Sequence, residues 1–159
     1  VVSIDLGCTY KGFVADHAVT IIVGEGTPET QKLVDVTRGA LTKGIEQLRP
    51  GNRLGDVSHA IQTHIESNGF GVVREYTGHG VGRSMHEDPQ VPNFGTPDKG
   101  VVLKKGMVLA LEPMVTVGDW RTKQLDDKWT VATLDGSLCA HVEHTIAVTD
   151  GDPVVLTTL

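Results

Sequence analysis

Val1-Val2-Ser3-Ile4-Asp5-Leu6-Gly7-Cys8 and Phe13-Val14-Ala15-Asp16-His17-Ala18-Val19-Thr20-Ile21-Ile22-Val23 are two runs rich in Val and Ile, separated by Thr9, Tyr10, Lys11 and Gly12. β-branched residues on either side of a short polar break read as the two strands of a hairpin. Asp5 is out of place, because aspartate is depleted from strands. If Tyr10 and Lys11 form a two-residue loop, Thr9 pairs with Gly12 and Asp5 lies directly opposite Asp16, with Cβ atoms roughly 5 Å apart. Two negative charges so placed repel, and a cation between them removes the cost. Tyr-Lys is a poor two-residue turn, and a loop one residue longer would turn Asp16 to the other face unless a bulge restored it. The hairpin alone therefore leaves open a shared site or two unrelated exposed aspartates.

Downstream, Thr27-Pro28-Glu29 opens a helical stretch that runs to the neighbourhood of Arg49, Pro50 and Gly51. Leu33, Val36, Ala40, Leu41, Ile45 and Leu48 recur at helical spacing within it. A second helix is expected from Leu54 to Asn68, with Val57, Ala60, Ile61 and Ile65 on one face and Asn68-Gly69 as its stop. After Gly71 the pattern becomes short extended runs: Val72 to Glu75, Met107 to Val117, Trp129 to Thr133 and Cys139 to Val148. A hairpin, two helices and further strands predict an α+β domain with helices on one face of a curved antiparallel sheet.

The chain of 159 residues suits a single domain, 1–159, and no apolar run approaches the roughly 18 residues of a membrane span. The net charge of -6 and pI near 5.6 leave no basic patch for a direct nucleic-acid substrate. Cys8 and Cys139 are too few for a disulfide scaffold, so two free thiols and a cytoplasmic location are expected. Val1 lies inside an apolar run, which leads us to expect further sequence upstream.

Other residues carry chemistry. His79 sits in Gly78-His79-Gly80-Val81-Gly82-Arg83, read as a glycine-rich loop where backbone passes close to a ligand. His86 lies in Met85-His86-Glu87-Asp88-Pro89, but position 90 is Gln, so the His-Glu-x-x-His zinc signature is absent. Glu112 ends the run Met107 to Leu111 and is held extended by Pro113. Glu143 alternates onto the face of His141 and Thr145. Singly, each of these has an ordinary surface or edge explanation. Together, four strand carboxylates and one histidine form an oxygen-rich set suited to Mn, Fe, Co or Zn. A pair of such ions is a known solution for peptide hydrolysis.

The ordered series Ile4-Asp5 with Asp16, Arg74 to Arg83, His86 to Val91, Leu111 to Met114, Trp129 to Val131 and Glu143 to Thr149 resembles the type I methionine aminopeptidases. These have the pita-bread fold, shared with aminopeptidase P and prolidase. The resemblance implies two divalent ions, with Asp5 on one, Asp16 and Glu143 bridging, and His79 and Glu112 on the other. It implies that His86 contacts the scissile amide together with His79, that Glu112 moves a proton, and that Met85 and Trp129 line the pocket for the methionine side chain. Met85 departs from the family, where an aromatic residue is usual. A peptide or nascent chain beginning with methionine, met at the ribosome, would be the partner, and a monomer is expected.

Family members also carry a segment before the first hairpin that supplies an active-site histidine and part of the pocket. Three other readings compete. A proline-directed peptidase would have the same ligands, although His79 to Arg83 and the Trp129 segment resemble the methionine enzymes. A non-catalytic module of the same fold would bind a protein partner, but such relatives generally lose ligands. Ile4 to Tyr10 also resembles the first phosphate-binding hairpin of the Hsp70 and actin type, without the second phosphate loop.

Overall fold

The structure, a computed structural model, describes residues 1–158. It opens with the hairpin β1 (Val2–Tyr10) and β2 (Phe13–Ile21). Its turn is Lys11-Gly12, with φ of 50° and 80°. Two positive φ values give a twist that matches the flanking strands, and glycine supplies one of them without strain. Tyr10 consequently pairs with Phe13, Gly7 with Asp16 and Asp5 with Ala18. This corrects the expected register by two residues. An even slip leaves every side chain on its original face, so Asp5 and Asp16 still share one, now as diagonal neighbours roughly 7–8 Å apart.

The remaining strands are β3 (Gly71–Val72), β4 (Thr77–Gly80), β5 (Glu87–Pro92), β6 (Val108–Leu111), β7 (Met114–Thr116), β8 (Thr122–Gln124), β9 (Val131–Thr133), β10 (Cys139–His141), β11 (His144–Ala147) and β12 (Val154–Val155). Three sequence expectations change here. Met107 to Val117 is two strands, β6 and β7, broken at Pro113, which has no N–H to donate. Val72 to Glu75 contributes only the short β3. The first half of the glycine-rich segment is not a loop: β4 runs through Gly78, His79 and Gly80, paired with β5 on one side and β6 on the other, while Val81 to Arg83 lie beyond the strand. A Cβ on Gly78 would lie 2.3 Å from the Ala110 carbonyl oxygen, and one on Gly80 2.3 Å from that of Asp88. The glycines thus admit neighbouring backbone rather than a ligand.

Pairs from Cys139 with Thr116 to Ala147 with Val108 keep one register, so β10-β11 and β7-β6 form a long antiparallel seam. The hairpin joins this seam through mutual backbone hydrogen bonds of Ala18 and Glu143, 2.9 and 3.3 Å long. Threonines extend the junction in both directions. Thr145 Oγ1 accepts from Asp16 N at 2.9 Å and donates to Asp16 O at 2.8 Å. Thr20 Oγ1 accepts from His141 N at 2.9 Å and donates to His141 O at 2.6 Å. A hydroxyl donates and accepts at once, so each replaces a backbone pair where the strands diverge.

Alternation along the seam sorts the two faces. Leu109, Leu111, Val115, Val142 and Ile146 point to the helices and join the core. Against them lie α1 (Pro28–Glu46) and α2 (Leu54–Ser67), through Leu33, Val36, Ala40, Leu41, Val57, Ile61 and Ile65. Thr27 caps α1 as expected, its Oγ1 accepting from Thr30 N at 3.2 Å, with Pro28 following. The helix stops at Glu46, short of Arg49. The expected architecture stands: a curved antiparallel sheet with both helices on its outer face.

Candidate metal centre

The inner face of the sheet carries the chemistry in two adjacent cross-strand rows. Ala18 pairs with Asp5 on one side and Glu143 on the other. Glu143 and Glu112 directly adjoin the paired residues His144 and Leu111, so one row reads Asp5, Ala18, Glu143, Glu112. Thr145, Ala110 and His79 are paired in sequence, and Thr145 is hydrogen-bonded to Asp16, so the next row reads Asp16, Thr145, Ala110, His79. All five predicted ligands fall in these rows.

In a flat sheet Asp16 and His79, three strand spacings apart, would be separated by roughly 14 Å at the backbone. Yet His79 Nε2 lies 3.8 Å from Asp16 Oδ2 and 3.6 Å from Glu112 Oε1. Concave curvature brings the side chains inward to meet. The small side chain of Ala18, 1% exposed, leaves open the space between Asp5 and Glu143. Asp16, His79 and Glu143 are buried, and atoms of all three lie within 4.8 Å of one another, a spacing fit to hold an ion.

Burial and the neighbouring charges of Asp5 and Asp16 push Glu112 up to about 8. Burial, then Glu112, Asp16 and Asp5, push Glu143 up to about 9. Massed carboxylates out of water repel one another, and a dication reverses the sign of that interaction. Glu143 Oε1 is buried without a hydrogen-bond partner, as a ligand atom awaiting a cation would be. The donor set fits divalent metal.

His86, exposed, meets the His79 ring edge-on with centroids 4.4 Å apart. Beside it lies a cleft of about 390 Å³ lined by Asp5, Glu112 and His141 together with Tyr76, Met114, Val131 and Cys139. It pairs a polar end at the carboxylates with an apolar wall. A larger cavity of about 590 Å³ opens against α1, where of the five predicted ligands only Glu143 is among the lining residues. Two residues expected at the pocket are not in the lining of this 390 Å³ cleft. Met85 lies against Gly7, where its Cε would meet a Cβ at 2.2 Å. Trp129 is 87% exposed in the β8-β9 connection and does not line the cleft.

The sequence profile of metallopeptidase family M24 matches residues 1–150. The chain belongs to metallopeptidase family M24. Within the family it is 52% identical to methionine aminopeptidase 1 of Bacillus subtilis over 157 residues, which cover 99% of this chain and 63% of that protein. It is 48% identical to the methionine aminopeptidase of Aquifex aeolicus, covering 100% of this chain and 62% of the relative. The chain therefore spans less than two thirds of the length of the curated relatives it matches. The crystal structure of the Thermotoga maritima methionine aminopeptidase superimposes with a TM-score of 0.97 at 57% identity, covering 99% of this chain and 63% of that one. Prolidase from Pyrococcus furiosus shares the fold, with a TM-score of 0.78 at 24% identity over 99% of this chain and 41% of its own. The fold is the pita-bread fold of M24.

Within this M24 site, sequence reasoning placed His141 on the face of Glu143 but gave it no role. Its Nε2 lies 3.6 Å from Glu112 Oε2 and burial lowers its affinity for a proton. The two-residue spacing from Glu143 was the available signal. Ala18 and the clasping threonines carried none, because their roles depend on which strands meet.

Proposed function

We propose that the protein is a methionine aminopeptidase, which removes N-terminal methionine from peptides or nascent chains by hydrolysis of the first peptide bond with two divalent ions. The observation that carries this reading is the pair of rows Asp5, Glu143, Glu112 and Asp16, His79, converging beside a cleft with an apolar wall. Asp5, Asp16, His79, Glu112 and Glu143 hold the ions. When bound, such a pair activates water and polarises the scissile carbonyl. Glu112, which also lines the cleft, carries a proton from the attacking water to the leaving amine in this reading. His86, with His79 edge-on behind it, is placed to donate a hydrogen bond to charge developing at the amide.

The apolar wall, with Met114, Val131, Tyr76 and Cys139, receives the methionine side chain. Met85, against Gly7, and Trp129, in the exposed β8-β9 connection, are proposed to complete that pocket. Mn, Fe, Co and Zn all suit the ligand set. Cys8 and Cys139 are free thiols, as in a reducing compartment, and we infer a monomer acting in the cytosol. No helix among the described residues is long and apolar enough to cross a membrane. Full-length protein loaded with Mn or Co is expected to release methionine from a Met-Gly-x peptide and to leave an x-Pro peptide intact, and His79→Ala to stop the release. Cleavage of the x-Pro peptide alone would move the protein to the proline-directed branch. Failure on both would refute an aminopeptidase.

A further inference from the structure

The Glu112 carboxylate lies between two imidazoles. His79 Nε2 is 3.6 Å from Oε1, and His141 Nε2 is 3.6 Å from Oε2. The two histidines are not equivalent. His79 groups with Asp16 and Glu143 in a cluster that could hold an ion, whereas His141, outside that cluster as Asp5 and Glu112 also are, meets the other Glu112 oxygen, Oε2. His141 Nε2 is buried and has no hydrogen-bond partner. A buried ring nitrogen without a partner needs an acceptor or a metal, and Glu112 Oε2 is the acceptor in front of it.

The backbone of His141 is fixed. Thr20 Oγ1 takes its N–H and donates to its carbonyl, and β7 pairs it with Met114 on the other side. The His141 backbone is thus held from β2 and β7, and the Glu112 side chain, just beyond the end of β6, is as little exposed as the His141 ring, 13% against 14%. A small rotation of the carboxylate shortens the 3.6 Å gap to a hydrogen bond. Such contacts are often long before ligands arrive and tighten when they do.

We propose that His141 is a positioning residue: its ring donates Nε2–H to Glu112 Oε2 and so fixes the carboxylate with Oε1 toward His79. The carboxylate would then offer Oε1 to the site, with its plane set by His141. This inference rests on the metal site proposed above. A partner that orients a ligand in this way is worth about 10–100-fold in metal affinity.

The experiment uses full-length protein with Co(II) alone, by calorimetry and visible absorption, and compares His141→Gln, which keeps a donor, with His141→Leu, which keeps bulk without one. His141→Leu is expected to weaken Co(II) binding about 10–100-fold and to alter the absorption bands, whereas His141→Gln stays within about threefold of wild type. Equal weakening in both variants would make His141 a ligand, and unchanged affinity in both would leave it no role, so either result overturns the proposal. A wild type that binds no Co(II) would instead refute the underlying metal site. Should His141→Leu fail to fold, ¹⁵N resonances of the wild-type ring with Zn(II) decide alone. A protonated Nε2 supports positioning, and an unprotonated, metal-shifted Nε2 overturns it.

Discussion

The two ends of the inner sheet are built on different terms. Along the seam of β6, β7, β10 and β11, the outward residues Leu109, Leu111, Val115 and Ile146 are fully buried beneath α1 and α2. In the first hairpin, by contrast, every residue of β1 is exposed, and Val2, Ile4 and Leu6 face solvent. Yet both regions supply proposed ligands. The helix-covered seam holds Glu112 and Glu143 by apolar burial, while the hairpin holds Asp5 and Asp16 by its turn, the Ala18–Glu143 bridge, a Val14–Gly82 backbone hydrogen bond and two threonine clasps. One face of one sheet can therefore carry a site whose halves owe their order to different forces.

Truncation sharpens this contrast most. In the 159-residue chain, Leu111→Ala is expected to cost about 2–5 kcal/mol in denaturant unfolding, because it leaves a cavity in a closed core. Leu6→Ala, at an exposed strand position, should stay within about 0.5 kcal/mol. Similar losses at the two sites would show that the hairpin is as much a part of the cooperative core as the seam.

An intermediate effect follows from charge. Glu112 and Glu143 have folded-state pKa values raised to about 8 and about 9, so between the unfolded value and these the folded chain holds protons that the unfolded chain has released. Stability of the metal-free chain must then fall as pH rises from about 4.5 towards 9, by on the order of 1 kcal/mol or more. Metal binding requires the ionised carboxylates, so added Mn or Co should flatten the curve and release protons. Thermal melts at pH 5.5 and 8.5, with and without metal, measure this directly. A metal-free chain that gains stability over that interval would contradict the clustering of charge.

The smallest effect is expected at the periphery. Trp129, 87% exposed, should be replaceable by Ala with a stability change within about 0.5 kcal/mol. In full-length protein the same change should raise KM for a Met-Gly-x peptide a few-fold and leave kcat near wild type, as the proposed contribution of Trp129 to the methionine pocket requires. A collapse of kcat would move Trp129 into the chemistry.

Legibility varied with the range of the physics involved. α1 was readable to its cap because Thr27, Pro28 and Thr30 act within one turn. The hairpin was readable as a hairpin but not in its register, since Lys11-Gly12 competed with Tyr10-Lys11 and only the observed positive φ values separate them. β4 was read as a loop because glycines normally weaken strands. The approach of the Ala110 and Asp88 carbonyls, long-range in sequence, is what makes them necessary there.

What the sequence determined by itself was the kind of donor and the face it would occupy. Aspartate, glutamate and histidine have their chemistry wherever they stand, and the twofold alternation of a strand survives a register error of two. What only the tertiary structure decided was distance. Curvature of the sheet brings Asp16 and His79 together across three strands, Ala18 leaves the space between Asp5 and Glu143, and His141 meets Glu112 while Trp129 does not reach the cleft. These depend on how far apart residues distant in sequence end up, and that is set by the closing of the whole sheet around its helices.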